Sequence, residues 1–244
     1  MKFVATVEAR MSSSRLPGKV LLKAAGLPLL SHQINRLKQV DSIDCIVLAT
    51  TINKSDDILV KLAQEHQISC FRGSEEDVLS RVVGAGEFVN ADVIVETTGD
   101  CPIIDPILVE QTIRMFKSND VQYVSNNHIR SYPDGMDTQV FFLSALKKSM
   151  SLTNRPLDRE HVTLFIRNHP DIFSRVHLVA PPDLHWPELG LTLDERSDYM
   201  LLSTIIESLY DNDPYFSCKT VIDFLNANPK LLRINENVIR RGDT

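Results

Sequence analysis

Short apolar runs alternate with helical patterns from the first residues onward, and this order most narrows the fold. Residues 3–7 form a continuous apolar run that reads as a buried strand. Leu29, Leu30, Ile34, Leu37 and Val40 then recur at helical spacing, predicting a helix over 28–40. Residues 45–50 are a second buried strand. Ser55, with Asp56 and Asp57 in the first turn, opens a helix to about residue 66, and residues 68–71 are a third strand. Strand, helix, strand, helix, strand is the order of a parallel α/β sheet.

The pattern continues to the C-terminus. Ser74 is expected to cap a helix running to about residue 89, and Asp105 one over 106–117, with proline at its first position. Strands are predicted at 92–96, 121–125, 138–142, 173–179 and 189–194, and helices at 143–150, 158–168, 198–210 and 220–226. Residues 228–244 are polar, with Arg240 and Arg241 near their end, and are expected to form a mobile tail. The whole chain, 1–244, reads as one α/β domain with a smaller excursion over about 125–185.

The loop after the first strand carries Arg10, Arg15 and Lys19 among serines and a glycine. Small residues let a backbone lie close to a ligand and turn its N–H groups toward it. Pro17-Gly18 predicts a tight turn returning Lys19 toward the arginines. Such a loop suits a polyanion such as a triphosphate; taken alone it also reads as an exposed basic loop. The net charge of −6 argues against a mainly electrostatic nucleic-acid binder. The four cysteines are scattered, so neither a zinc site nor a disulfide framework is expected. There is no charged-then-apolar leader and no long apolar span, which leads to the expectation of a cytoplasmic protein without a membrane segment.

The run A-R-x-x-S-x-R-L-P-G-K after the first strand resembles the nucleotide-binding loop of the cytidylyltransferases. That family includes the CMP-KDO and CMP-sialic acid synthetases and the SpsF-like spore-coat polysaccharide proteins. The likeness extends through R-G-S-E-E-D-V at 72–78, G-D-C-P at 99–102, Y-P-D-G-M-D at 132–137, D-R-E-H-V-T at 158–163 and L-T-L-D at 191–194. One departure is Ser12, where SpsF-like loops commonly carry glycine.

The resemblance implies a Rossmann-like nucleotide-diphospho-sugar transferase fold and a Mg²⁺-dependent transfer of CMP from CTP. The acceptor would be sugar-acid-like, and a homodimer is implied. Ala9, Arg10, Ser13, Arg15 and Lys19 would surround the phosphates. Arg72, Ser74, Asp77 and Arg81 would lie around the base and ribose; taken alone, that segment also reads as helix capping and surface pairing. Asp100 follows a strand end, where open sheets bind ligands, and with Asp194 it would supply two carboxylates for Mg²⁺. Tyr132, Asp134, Asp137, Arg159, Glu160 and His161 would contact the acceptor. For Asp134 a β-turn role stands beside this, and for His161 a purely structural one. A glycosyltransferase and a non-catalytic nucleotide-binding partner subunit remain as alternatives; the first usually carries D-x-D, whereas Asp100 is followed by Cys101 and Pro102.

Overall fold

The computed structural model describes residues 1–240. The first half builds a parallel sheet from β1 (Phe3–Glu8), β4 (Cys45–Thr51), β5 (Ser69–Gly73) and β6 (Val93–Thr98). A two-stranded ribbon of β2 (Lys23–Ala24) and β3 (Leu27–Pro28) lies between β1 and the first helix. The helices α1 (Leu29–Leu37), α2 (Asp57–Glu65) and α3 (Val78–Phe88) alternate with these strands, as the periodicity predicts. After α4 (Pro106–Ser118) come β7 (Tyr123–Ser125) and β8 (Gln139–Phe142), then α5 (Leu143–Leu152), α6 (Pro156–Glu160), α7 (Leu164–Asn168) and β9 (Arg175–His177). The chain closes with α8 (Arg196–Leu209) and α9 (Cys218–Ala227).

The seven-stranded sheet runs β5-β4-β1-β6-β8-β7-β9. Only β8 is antiparallel to its neighbours, so the sheet is mostly parallel, as expected. Alternation along β1 explains the layers. Phe3, Ala5 and Val7 pack with Leu30, Ile34, Leu59, Val109 and Ile113 on one face, while Val4 packs with Leu79, Val82 and Phe141 on the other. A parallel strand covered by helices on both faces must be apolar on both sides, and this is why residues 3–7 show no polar alternation. A further core joins α8 and α9 to Tyr132, Met136, Leu189, Leu191 and Leu193.

Several boundaries differ from the sequence expectations. Ser55 does not cap α2; a 3₁₀ turn, Lys54–Asp56, precedes it, and Asp56 turns inward to accept from Thr50, Thr51 and the Met11 amide. Ser74 does not cap α3 either. Asp77 does, accepting from the Ser80 amide at 2.9 Å, while Ser74 Oγ accepts from the Asp77 amide. The helix predicted over 158–168 breaks at His161 into α6 and α7, and Thr163 donates to Gln139 at 2.5 Å from the break. Residues 189–194 are not a strand of the sheet. They lie against two loops through Leu191 N to Asp134 O (2.7 Å) and Leu193 N to Asp100 O (2.8 Å). The tail is not free up to residue 240: Pro229–Ile234 forms a 3₁₀ helix and the partly buried Arg240 pairs with Asp198. Arg241 and the rest of the predicted mobile tail lie outside the described residues. As expected, Asp105 caps α4 through the Ile107 amide, and its second oxygen accepts from the Cys218 amide at 2.7 Å. All four cysteines are free.

Candidate active site

The carboxyl ends of β1 and β6 open together at one edge of the sheet, and the loops leaving them form the cleft. Open parallel sheets bind ligands at this end of their strands. Gly18 N donates to Met11 O at 2.9 Å, closing the loop after β1 and returning Lys19 to its start. The loop after β6 passes so close to β1 that a Cβ on Gly99 would sit 2.7 Å from the Glu8 carbonyl oxygen, so only glycine fits there.

Lys19 stands at the centre of the resulting cluster. Its Nζ lies 3.1 Å from Asp100 Oδ2 and 3.1 Å from Asp194 Oδ1. Arg15 reaches the same Asp194 oxygen at 2.8 Å. Burial works against the Lys19 ammonium, but Asp100 and Asp194 outweigh it and hold its pKa above the ordinary value. Burial likewise penalises the Asp100 carboxylate, but the Lys19 charge and hydrogen bonds from Thr98 and Lys19 together more than offset that, so its pKa lies below normal. Two carboxylates thus converge on one point, and among the described residues no cluster of three or more potential metal ligands occurs.

A cleft of about 440 Å³ is lined by Ala9, Arg10, Ser13, Arg15 and Lys19, with Arg81, Asp100, Asp194 and Arg240. Arg10 is held by Glu75 at 3.1 Å, and Glu75 also accepts from Ser12 and Asn53. Arg81, 3% exposed, donates to the Ser74 carbonyl and forms the wall below Arg10. A second chamber of about 410 Å³ adjoins the first, lined by Tyr132, Glu96, Asn126, Arg130, Gln139 and Arg167. Glu8, Asp134, Asp137, Glu160 and His161 face both, so the two spaces form one continuous site.

The inner chamber is acidic. Burial first, then Asp134, pushes the Asp137 carboxyl up to about 7. Burial also raises Asp134, and burial together with Glu96 raises Glu8 well above the usual carboxylate range. Glu96 is fixed by Gln139, which itself accepts from Tyr123 and Thr163.

Four of the residues suggested by resemblance are engaged outside this lining. Arg72 ties the β4–α2 connection, donating to Thr51 O at 2.8 Å and Asn53 O at 2.7 Å and pairing with Asp57 at 2.7 Å. Ser74 and Asp77 serve the start of α3. Arg159 turns from the chamber to Asp77 at 3.3 Å and to the Met150 carbonyl at 3.1 Å. Glu8, Glu96, Gln139 and Arg240 line the site without a motif that marks them. The first three sit on strands, where burial hides their role, and Arg240 arrives from a segment without periodicity.

The sequence model of the cytidylyltransferase family matches residues 4–204. The chain is 35% identical to an uncharacterised protein of Methanocaldococcus jannaschii over 99% of its own length and 98% of that protein's. It is 33% identical to the spore coat polysaccharide biosynthesis protein SpsF of Bacillus subtilis, covering 91% of this chain and 93% of SpsF. A solved cytidylyltransferase from Leptospira borgpetersenii superposes with a TM-score of 0.91 at 30% identity, covering 99% of this chain and 100% of that one. With the basic loop, the paired acids Asp100 and Asp194 and the fold in agreement, the chain belongs to the cytidylyltransferase family of nucleotidyltransferases.

Proposed function

We propose that this chain transfers CMP from CTP to a hydroxyl-bearing, sugar-acid-like acceptor in surface polysaccharide biosynthesis, releasing pyrophosphate. The observation that carries this reading is the convergence of Lys19, Asp100 and Asp194 in a cleft that opens into the inner chamber. Relatives support it: the family model describes cytidylyltransferases, and SpsF is named for polysaccharide biosynthesis.

Arg10, Arg15 and Lys19 hold the triphosphate, and Ala9, Ser13 and Arg81 form the wall of the same cleft. The acceptor enters the inner chamber beside Tyr132, Asp134, Asp137, Glu160 and His161. Its hydroxyl oxygen attacks the α-phosphorus in line and gives up its proton to solvent, a new P–O bond forms, and the bond to the bridging oxygen of pyrophosphate breaks. Lys19, a compact cation already ion-paired with Asp100 and Asp194, offsets the charge that develops on the departing pyrophosphate. Catalysis is then positioning plus electrostatic stabilisation.

Two convergent carboxylates suit Mg²⁺, which takes one or two carboxylates and completes its shell with phosphate oxygens and water. Asp100 and Asp194 would hold it. The ion would supply charge neutralisation at the phosphates.

The test compares thermal shifts with CTP, UTP, GTP and ATP, each with and without Mg²⁺, because a ligand bound only by the folded state raises its stability by mass action. A CTP-selective shift enhanced by Mg²⁺ is expected, followed by pyrophosphate release on acceptor screening. Equal shifts with all four nucleotides would remove the CTP assignment. Full activity in Asp100→Ala would remove the metal assignment.

A further inference from the structure

The segment carrying Asp194 has no sheet to hold it. Residues 189–194 run between loops, and their backbone bonds go to Asp134 and Asp100, which are themselves loop residues. The C-terminal segment covers this stretch from the other side. Asn235 Nδ2 donates to Gly190 O and to Asp198 Oδ1, each at 2.9 Å. Arg240 donates from Nη1 to Thr192 Oγ1 at 2.6 Å and from Nη2 to Asp198 Oδ1 at 2.7 Å. The same guanidinium lies 3.8 Å from Asp134 and 3.9 Å from Asp194. Arg15 of the phosphate loop completes the contact by donating to the Ile239 carbonyl at 3.4 Å.

Asp198 transmits the hold. It is fully buried, and its other oxygen accepts from the amides of Asp194 (3.1 Å) and Glu195 (2.8 Å), closing the first turn of α8. A single buried carboxylate therefore ties the backbone of Asp194 to the Arg240 guanidinium. Gly190 lies directly against the guanidinium. A Cβ there would fall 2.0 Å from Arg240 Nη2 and 2.2 Å from Cζ. A side chain at 190 would therefore displace the Arg240 guanidinium, whose long side chain can give way.

We propose that Arg240 is a positioning residue: docking of the C-terminal segment holds the Asp194 carboxylate in the nucleotide cleft, and the cleft is complete only when that segment is seated. The kinetic part of this inference rests on the cytidylyl-transfer reading; the structural part does not.

The experiment compares the full chain with Arg240→Ala, Arg240→Lys, Gly190→Ala and the Gly190→Ala/Arg240→Ala double variant. Hydrogen exchange at amides 189–195 is read first, since local opening is resolved by that measurement. Exchange there is expected to quicken at least ~10-fold in Arg240→Ala and in Gly190→Ala, with β1 amides unchanged. Kinetically, turnover at saturating CTP should fall by about 30-fold or more while the CTP KM moves less than about 3-fold, because the other cations still bind the phosphates. Arg240→Lys should recover part of the turnover. The double variant should be no worse than either single one, because both remove the same contact.

Unchanged exchange at 189–195 in both single variants overturns the proposal. So does equal acceleration in β1, which would mean a global loss of stability. Additive effects in the double variant also overturn it. Failure of the parent chain to release pyrophosphate from CTP would refute the transfer reading, and exchange at 189–195 would still decide the positioning role.

Discussion

Replacing Asp137 by asparagine should stabilise the fold, and by more at high pH than at low. Burial, and then the neighbouring Asp134, raise the Asp137 pKa from 3.8 to about 7. Below the unfolded value both states hold the proton and the group costs nothing. As pH rises from there toward about 7, the unfolded chain sheds its proton while the folded chain keeps it, and stability falls by about 1.4 kcal/mol per pH unit. Above the folded value both states are ionised and the penalty is constant, at a ceiling of about 4 kcal/mol. Asparagine carries no such penalty. The stability gained by Asp137→Asn should therefore grow by about 2.5 kcal/mol between about pH 5 and about pH 8. Urea denaturation of both proteins at the two pH values measures it, and groups common to both proteins cancel in the difference. A gain that is the same at both pH values, within about 0.5 kcal/mol, would refute the reasoning, because it would mean Asp137 ionises alike in the folded and unfolded chains.

Two further outcomes separate the chemistry from the scaffold. Lys19→Ala leaves Asp100 and Asp194 facing one another without the shared ammonium, and turnover should fall by about 10²–10³ with the fold retained; an effect on acceptor KM alone, in steady-state kinetics, would take Lys19 out of the phosphate site. Arg159→Ala removes a bond to the α3 cap and one to the Met150 carbonyl, so it should cost about 1 kcal/mol in chemical denaturation while kcat/KM stays within about 2-fold; a large kinetic loss would return Arg159 to the acceptor site.

Some of this molecule was determined by its sequence alone. The parallel half of the sheet was legible because buried strands and amphipathic helices leave periods that composition cannot disguise, as at Phe3–Glu8 and Leu29–Leu37. The basic loop and the Asp100 turn were legible as motifs, since a phosphate site needs cations, small residues and a carboxylate in short spans, and Asp194 was legible through the resemblance of its L-T-L-D run. Cap identities at Ser55 and Ser74 were misread because several polar residues compete for the same few amides, and only the folded backbone selects among them. Residues 189–194 carry a strand's composition, yet their backbone partners are the loop residues Asp134 and Asp100.

The tertiary structure alone decided the contacts within the cleft. Asp100 and Asp194 are far apart in the chain and meet through one ammonium. Burial and the neighbouring Glu96 raise Glu8 because β1 and β6 are neighbours with both side chains on one face. Arg240 gains its role from Gly190 and Asp198, neither of which marks it in sequence. Periodicity is a local property written residue by residue, whereas electrostatic coupling depends on distance in space, and that distance exists only once the chain has folded.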